Sequence, residues 1–398
     1  MNPNLDRLQP YPFQRLKALC SDITPADNYT PIDLSIGEPK HSPPAFVLEA
    51  LTGNLGGVSK YPPTPGSPEL REIIAAWASQ RFSLPENTLT PQRHVLPVNG
   101  TREALFAVAQ CLFDSTSDKR LIVMPNPFYQ IYEGAALLAG AQPWFYNTPA
   151  TLNYQPDIDN IDAEVWQQCQ MVYLCTPGNP SGAVVPQQTL QRLIELSVEH
   201  NFIIISDECY SEIYPDENTP PIGLLQAAAS MGNTGYRNCL VFNSLSKRSN
   251  LPGLRSGFVA GQAELIAAFL LYRTYHGSAM PVHTDAASRA AWSDESHVTE
   301  NRQRYREKYD AVLDVLQAKL NVVRPDAGFF LWPQISVSDT EFTRSCLIEK
   351  NVKVLPGSYL SRATDGDSPG AGQIRMALVA PKEQCVEAAQ RIADLLPG

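Results

Sequence analysis

Residues 202–210 read Phe202-Ile203-Ile204-Ile205-Ser206-Asp207-Glu208-Cys209-Tyr210. An apolar residue at every one of the first four positions leaves no face to give to water. Such a strand belongs in the middle of a sheet covered on both sides. Outward from it, short apolar runs alternate with amphipathic helical ones. Strands are expected at His94–Val98, Leu121–Met124, Met171–Cys175, Leu240–Asn243 and Gly257–Ala260. Helices are expected at Ser67–Arg81, Arg102–Phe113, Gln130–Ala139, Gln188–His200 and Ala263–Tyr275. This rhythm predicts an α/β fold with a mostly parallel sheet between helical layers.

Beyond about residue 285 the texture changes. A long charged helix, Glu300–Leu320, leads into short strands near Gly328–Trp332, Val352–Leu355 and Ile374–Leu378, with helices at Asp339–Lys350 and Lys382–Leu396. The expected division is a large domain over 46–285 and a smaller α+β domain made of 1–45 together with 286–398.

Thirty-one basic and 41 acidic residues give a net charge of −10, so neither nucleic acid nor an anionic membrane is an expected partner. No stretch reaches the roughly 18 apolar residues of a membrane helix. Met1–Pro12 has no apolar signal core. The eight cysteines form no C-x-x-C pair, so reduced thiols in a cytoplasmic protein are expected, and no metal site.

Ligands of open α/β sheets bind beyond the carboxyl ends of the strands, and the unusual residues cluster there. Gly100 and Thr101, between a strand and a helix, form an anion site or a plain helix cap. Tyr129, after Pro125-Asn126-Pro127-Phe128, offers an aromatic face to a flat ring or joins the core. Thr176-Pro177-Gly178-Asn179-Pro180-Ser181-Gly182 ends a strand and frees the Asn179 amide. Asp207 ends the strand that begins at Phe202, where a carboxylate would hold a pyridine nitrogen protonated or cap a helix, and Tyr210 stands three residues on. In Ser244-Leu245-Ser246-Lys247-Arg248-Ser249-Asn250-Leu251-Pro252-Gly253-Leu254-Arg255, one amine, several hydroxyls and an arginine are the parts needed to hold a phosphate-bearing aldehyde. Arg375, inside the apolar run Gln373–Leu378, needs an anion, which is either a structural carboxylate or that of a substrate.

In this order and spacing, S-x-S-K with an arginine eight residues later, N-P-x-G and D-x-x-Y resemble the fold type I aminotransferases of class I/II, from Ile32 to the C-terminus. The resemblance implies pyridoxal 5′-phosphate as cofactor. It implies Lys247 as the imine-forming lysine and proton carrier, Asp207 on the ring nitrogen, Asn179 and Tyr210 on the ring oxygen, and Tyr129 on the ring face, where many aspartate aminotransferases carry Trp. Gly100, Thr101, Ser244, Ser246 and Arg255 would hold the phosphate. Arg375, with the backbone at Gly37 and Asn179, would bind the substrate carboxylate. Tyr61 would reach the site of a second subunit, which implies a homodimer with shared active sites and amino and 2-oxo acid substrates.

Within the family, Leu8–Phe13, Leu34–His41 and Leu271–Gly277 resemble the succinyldiaminopimelate aminotransferase group. That implies exchange of an amino group between N-succinyl-LL-2,6-diaminopimelate and 2-oxoglutarate in bacterial lysine and diaminopimelate synthesis. Aspartate, aromatic and N-acetylornithine aminotransferases and C–S β-lyases remain alternatives. A second cation is expected for the distal carboxylate, with Lys40, Arg15 and Arg273 as candidates.

Overall fold

The computed structural model describes residues 1–364, 366 and 368–396. Its centre is a seven-stranded sheet of β1 (Val95–Val98), β2 (Leu121–Asn126), β3 (Gln142–Asn147), β4 (Cys169–Cys175), β5 (Ile203–Asp207), β6 (Cys239–Ser244) and β7 (Gly257–Gly261). The spatial order is β1-β7-β6-β5-β4-β2-β3. All pairings are parallel except the two made by β7, which runs against both β1 and β6.

Both faces of the sheet are covered, as the unbroken apolar runs require. Along β4, Val172 and Leu174 enter one core while Met171 and Tyr173 enter the other. Along β5, Ile204 and Ile205 part in the same way. Alternation of side chains across a strand sends successive residues to opposite layers. The layers contain α1 (Thr101–Leu112), α2 (Ile131–Ala139), α3 (Gln187–His200) and α5 (Ala263–His276), with the four-residue α4 (Leu245–Arg248) at the end of β6.

A smaller α+β unit has its own core of Ile32, Leu34, Leu313, Leu316, Leu331, Val354, Met376 and Ile392, among others. It is built from α6 (Ser296–Leu316), α7 (Asp339–Lys350) and α8 (Lys382–Ala393) around a three-stranded antiparallel sheet. The strands are β8 (Phe330–Leu331), β9 (Leu355–Pro356) and β10 (Ile374–Ala377), in the order β9-β10-β8.

Three expectations shift. The strand read at Val352–Leu355 is two: Val352–Lys353 pairs in parallel with Ile32–Asp33, and β9 pairs with β10. The long helix begins four residues early, because the Asp294 carboxylate accepts the His297 amide at 3.0 Å and starts it. β3 is absent from the sequence reading. It is an edge strand with exposed Gln142 and partly buried Pro143, so it lacks the apolar run of its neighbours.

Ile204 is fully buried at the middle of the sheet. Ile204→Ala is expected to lower stability by about 2–5 kcal/mol. A shift of the urea unfolding midpoint measures it, and a wild-type midpoint would contradict the packing described.

Candidate active site

A cleft of about 440 Å³ opens above the carboxyl ends of the parallel strands and is walled on the other side by Gly37, Phe330 and Arg375. Five strand ends point at it: β1 leads to Gly100, β2 to Tyr129, β4 to Asn179, β5 ends at Asp207 and β6 at Ser244. Because β7 is antiparallel, it starts at this edge, with Gly257 opposite Ser244. The chain therefore leaves the edge through Lys247 and returns to it at Arg255.

Lys247 lies on α4, which is too short to stand alone. The Ser244 hydroxyl caps it by accepting the Ser246 amide at 3.0 Å. At its other end the Asn301 amide donates to the carbonyls of Lys247 and Arg248, at 3.2 and 3.3 Å. The Arg248 guanidinium, fully buried, donates to the Ala291 carbonyl at 2.8 Å. So anchored, Lys247 donates from Nζ to the Gly37 carbonyl at 2.5 Å, and its amine lies 5.2 Å from the centre of the Phe329 ring. Lys247 keeps some surface open to the cleft, but the protein packed around the amine excludes most water. That burial lowers the lysine to about 8; the Arg375 charge pushes the same way, against the raising effects of Cys209, Glu38 and Asp207.

Asp207 is buried. Its carboxylate accepts from the Tyr132 hydroxyl at 2.7 Å and from the Cys209 amide at 3.2 Å. Burial raises its pKa against the pull of those donors. Tyr132 is held by stacking on Tyr173, with ring centres 4.6 Å apart. Tyr210 is also buried, which pushes its hydroxyl well up. Its ring meets Phe329 edge-on at 5.4 Å.

Arg375 reaches the cleft from β10. Its Nη1 donates to the Asn179 side-chain oxygen at 2.9 Å and its Nη2 to the Ser35 carbonyl at 2.8 Å, and it lies 4.4 Å from the centre of the Phe330 ring. Its Nε is buried without a partner, and burial lowers the group to about 10. Among the described residues it pairs with no carboxylate, so a structural salt bridge is not why it sits in an apolar strand.

Gly100 has φ +93°, and a Cβ there would fall 2.1 Å from Nη2 of Arg255. The site thus needs glycine both for its backbone and for space. The Thr101 hydroxyl accepts from the Cys209 thiol at 3.2 Å, and the Ser244 and Ser246 hydroxyls lie 2.9 Å apart. Arg255 pairs with Glu103 at 2.6 Å, a partner the sequence reading did not name. Gly37 is constrained by space alone, since a Cβ would meet the Phe330 ring at 2.7 Å. Tyr129 lines the cleft, and its hydroxyl accepts from Nε of Arg102 at 2.7 Å.

Tyr61 is fully exposed and does not border the cleft of its own chain. None of the three candidates for the distal carboxylate lines the cleft. Arg273 is buried, with Nη2 donating to Asn99 at 3.0 Å and to the Ser278 carbonyl at 2.6 Å. Arg15 lies 3.9 Å over the Tyr359 ring, and Lys40 borders a separate groove with His41 and Leu51. Residues that do line it and had no expected role in the site include Arg102, Tyr11 and Phe13. Tyr132, whose partner Asp207 lies 75 residues on, carried no signal in the sequence.

The family model for aminotransferases of class I and II matches residues 29–392. The chain belongs to that family. Its cofactor is pyridoxal 5′-phosphate. An LL-diaminopimelate aminotransferase from Nitratidesulfovibrio vulgaris is 29% identical, with 98% of each chain covered. The solved structure of an aminotransferase from Neisseria meningitidis is 46% identical, with TM-score 0.95 and all of both chains covered. A Thermus thermophilus structure described as a probable N-succinyldiaminopimelate aminotransferase is 25% identical, with TM-score 0.84, covering 97% of this chain and all of that one. All eight cysteines of this aminotransferase are free, and no helix among the described residues is long and apolar enough to cross a membrane.

A lysine lowered to about 8 gains its neutral form as pH rises through that value, well below an ordinary lysine. In the cofactor-free aminotransferase, reaction of Lys247 with an aldehyde reagent is therefore expected to switch on near pH 8. Peptide mapping of the adduct against pH measures it. A midpoint above 10 would contradict the amine environment described.

Proposed function

We propose that this aminotransferase moves an amino group between N-succinyl-LL-2,6-diaminopimelate and 2-oxoglutarate, in bacterial diaminopimelate and lysine synthesis in the cytoplasm. The observation that carries the amino-acid part is the buried Arg375 guanidinium, without a carboxylate partner among the described residues, in the same cleft as the Lys247 amine. One fixes an α-carboxylate and the other meets the α-carbon. The diaminopimelate part is supported by the names of the Nitratidesulfovibrio and Thermus relatives. It is supported also by the resemblance of Leu8–Phe13 to the succinyldiaminopimelate group, since Tyr11, Pro12 and Phe13 of that run wall the cleft.

The residues present fit the cofactor. Asp207 is a buried carboxylate whose hydrogen bonds come from the Tyr132 hydroxyl and the Cys209 amide, both neutral, and it suits a protonated ring nitrogen. Gly100, Thr101, Ser244, Ser246 and Arg255 would hold the phosphate, with Tyr61 reaching in from a second copy of the chain in a homodimer. Asn179 and Tyr210 would bind the ring oxygen and Tyr129 the ring face. When bound, the cofactor supplies an aldehyde that carries the amino group and a ring that takes up the electron pair left at the α-carbon.

The chain's own part is positional and protonic. Arg375, with Asn179 and the backbone at Gly37, would orient the substrate by its carboxylate. Lys247, in its neutral form, would take the α-proton at Nζ as general base, a role that lowering to about 8 favours. The walls of the cleft exclude water from that step. The division into 46–285 against 1–45 with 286–398 belongs to the same reading, the cleft lying between the two parts.

A second reading, transfer from LL-diaminopimelate itself, is favoured by the curated relative. One half-reaction separates the two. The pyridoxal form is mixed separately with N-succinyl-diaminopimelate, LL-diaminopimelate, N-acetylornithine, glutamate and aspartate, and the visible absorbance of the bound cofactor is followed. Fast loss with the succinylated substrate and glutamate is expected. Loss with LL-diaminopimelate alone would favour the second reading, and loss with aspartate alone would sink both. Lys247→Ala is expected to abolish transamination while light scattering still gives a dimer. Near-full turnover in that variant would overturn the site.

A further inference from the structure

Asn301, near the start of α6, is buried, and both ends of its amide are fully used. Its nitrogen donates to the carbonyls of Lys247 and Arg248, at 3.2 and 3.3 Å. Its oxygen accepts from the Asn250 amide at 2.9 Å and faces Nδ1 of His41 at 2.9 Å. A carboxamide has two donors and two acceptor sites. The two carbonyls can only accept, so the nitrogen must face them and the oxygen must face His41. Nδ1 of His41 therefore carries a proton and donates. Burial, with the Lys308 and Arg304 charges pushing the same way, lowers His41 to about 4 against the raising effect of Asn301, so above that pH the ring is neutral.

The two sides of this amide lead to the two ends of one hydrogen bond. On one side is α4, which carries Lys247. On the other is the segment of Gly37, whose carbonyl accepts from the Lys247 amine at 2.5 Å and which lies four residues before His41. That segment is pinned at its start by the smaller unit, where the Leu34 carbonyl accepts the Ala377 amide at 2.7 Å. His41 pins it at its end. The His41 ring also lies 4.8 Å from that of Tyr305, and Tyr305 stacks at 5.5 Å on Phe329, the ring beside the Lys247 amine. Lys308, two turns past Asn301 on the same face of α6, donates to the carbonyls of Leu378 and Val379 at 3.2 and 3.3 Å, just beyond the strand of Arg375. One helix face thus holds the lysine, the wall opposite it and the end of the arginine strand.

We propose that Asn301, acting with His41, is a positioning residue that fixes Lys247 against the Gly37 wall of the cleft and so sets where the amine stands for proton transfer. This rests on Lys247 being the amine of the site, and not on which substrate is used. An amide suits the place. A carboxylate there could not donate to two carbonyls, and an apolar group would leave both carbonyls and the His41 N–H unpaired. Without the contact, the Gly37 segment keeps only its first anchor, and water reaches the amine. Arg375 is held separately, through Asn179 and Ser35, so binding of a substrate carboxylate is largely spared.

The test compares Asn301→Leu, His41→Phe and the double variant with the wild type. His41→Phe keeps a ring against Tyr305 and removes only the donor, so it decides the matter if Asn301→Leu folds poorly. On holoenzyme, the half-reaction with glutamate gives a saturating rate and a half-saturating concentration. On the full-length chain freed of cofactor, reductive trapping of acetaldehyde at Lys247 is mapped against pH. In Asn301→Leu the saturating rate falls roughly 100-fold, as a misplacement of roughly 1 Å does. The half-saturating concentration changes by less than about threefold, and His41→Phe shows a smaller loss in the same direction. The trapping midpoint moves up from about 8, by about one pH unit, in both variants, because burial is what lowers it. Cys209, Arg375, Glu38 and Asp207, the ionisable groups that act on the amine, are the same in every variant, so the shift reads burial. The double variant falls no further than Asn301→Leu alone, since two members of one network do not add. An unchanged midpoint in both single variants overturns the proposal. A double variant whose loss is the product of the single losses overturns it too, since the two residues would then act separately. Equal losses of rate and of glutamate affinity mean general damage and overturn it as well. If the wild type does not react with glutamate, the substrate reading falls, and the trapping midpoint still decides on Asn301.

Discussion

The Asp207 carboxylate sits at the end of the central strand, buried, with a hydroxyl and an amide as its hydrogen-bond donors. A carboxylate taken out of water without a cation is costly. The surroundings depend on that constraint. The two helical layers that make the sheet stable are what exclude water from the strand end. Tyr132 can donate to Asp207 because its ring is fixed flat against Tyr173. The raised pKa of the carboxylate and the lowered one of Lys247 share one cause, the dry floor of the cleft.

Burial in the one cleft they share lowers the pKa of both Arg375 and Lys247. Arg375 contributes to the lowering of Lys247. A bound carboxylate at Arg375 would offset part of that repulsion, so substrate charge and the proton affinity of the amine are linked. The Arg255–Glu103 pair works differently, at the open rim, where both side chains keep more than a third of their surface in solvent. Its attraction is screened and exchangeable, unlike the contacts of Arg375.

The features legible in the sequence were those written in short runs. Phe202–Asp207 announces a central strand and its acidic end, and Ser244–Arg255 announces an amine and a guanidinium at a fixed interval. That β7 turns back against its neighbours was not legible, though it explains the interval. Arg102 and Tyr132 went unnamed because what they touch, Tyr129, Tyr11 and Asp207, comes from other parts of the chain. Arg273, in a motif that drew attention, turned inward to cap the Ser278 carbonyl, and a helical pattern does not say which arginine the core will keep. β3 was hidden because an edge strand is free to carry Gln and Pro.

Val352–Pro356 joins two sheets within five residues. Val352 and Val354 point into the core of the smaller unit, Lys353 points to solvent, and Leu355 faces the same way as its partner Arg375. The run is a gear with a tooth at each residue. Its first half meshes with Ile32–Asp33, just ahead of the Ser35 carbonyl that holds the guanidinium, and its second half meshes with the strand that carries the guanidinium. Removing one tooth would turn every later side chain to the opposite face. The aim of Arg375 is thus set by parity, in a segment that never touches the cleft.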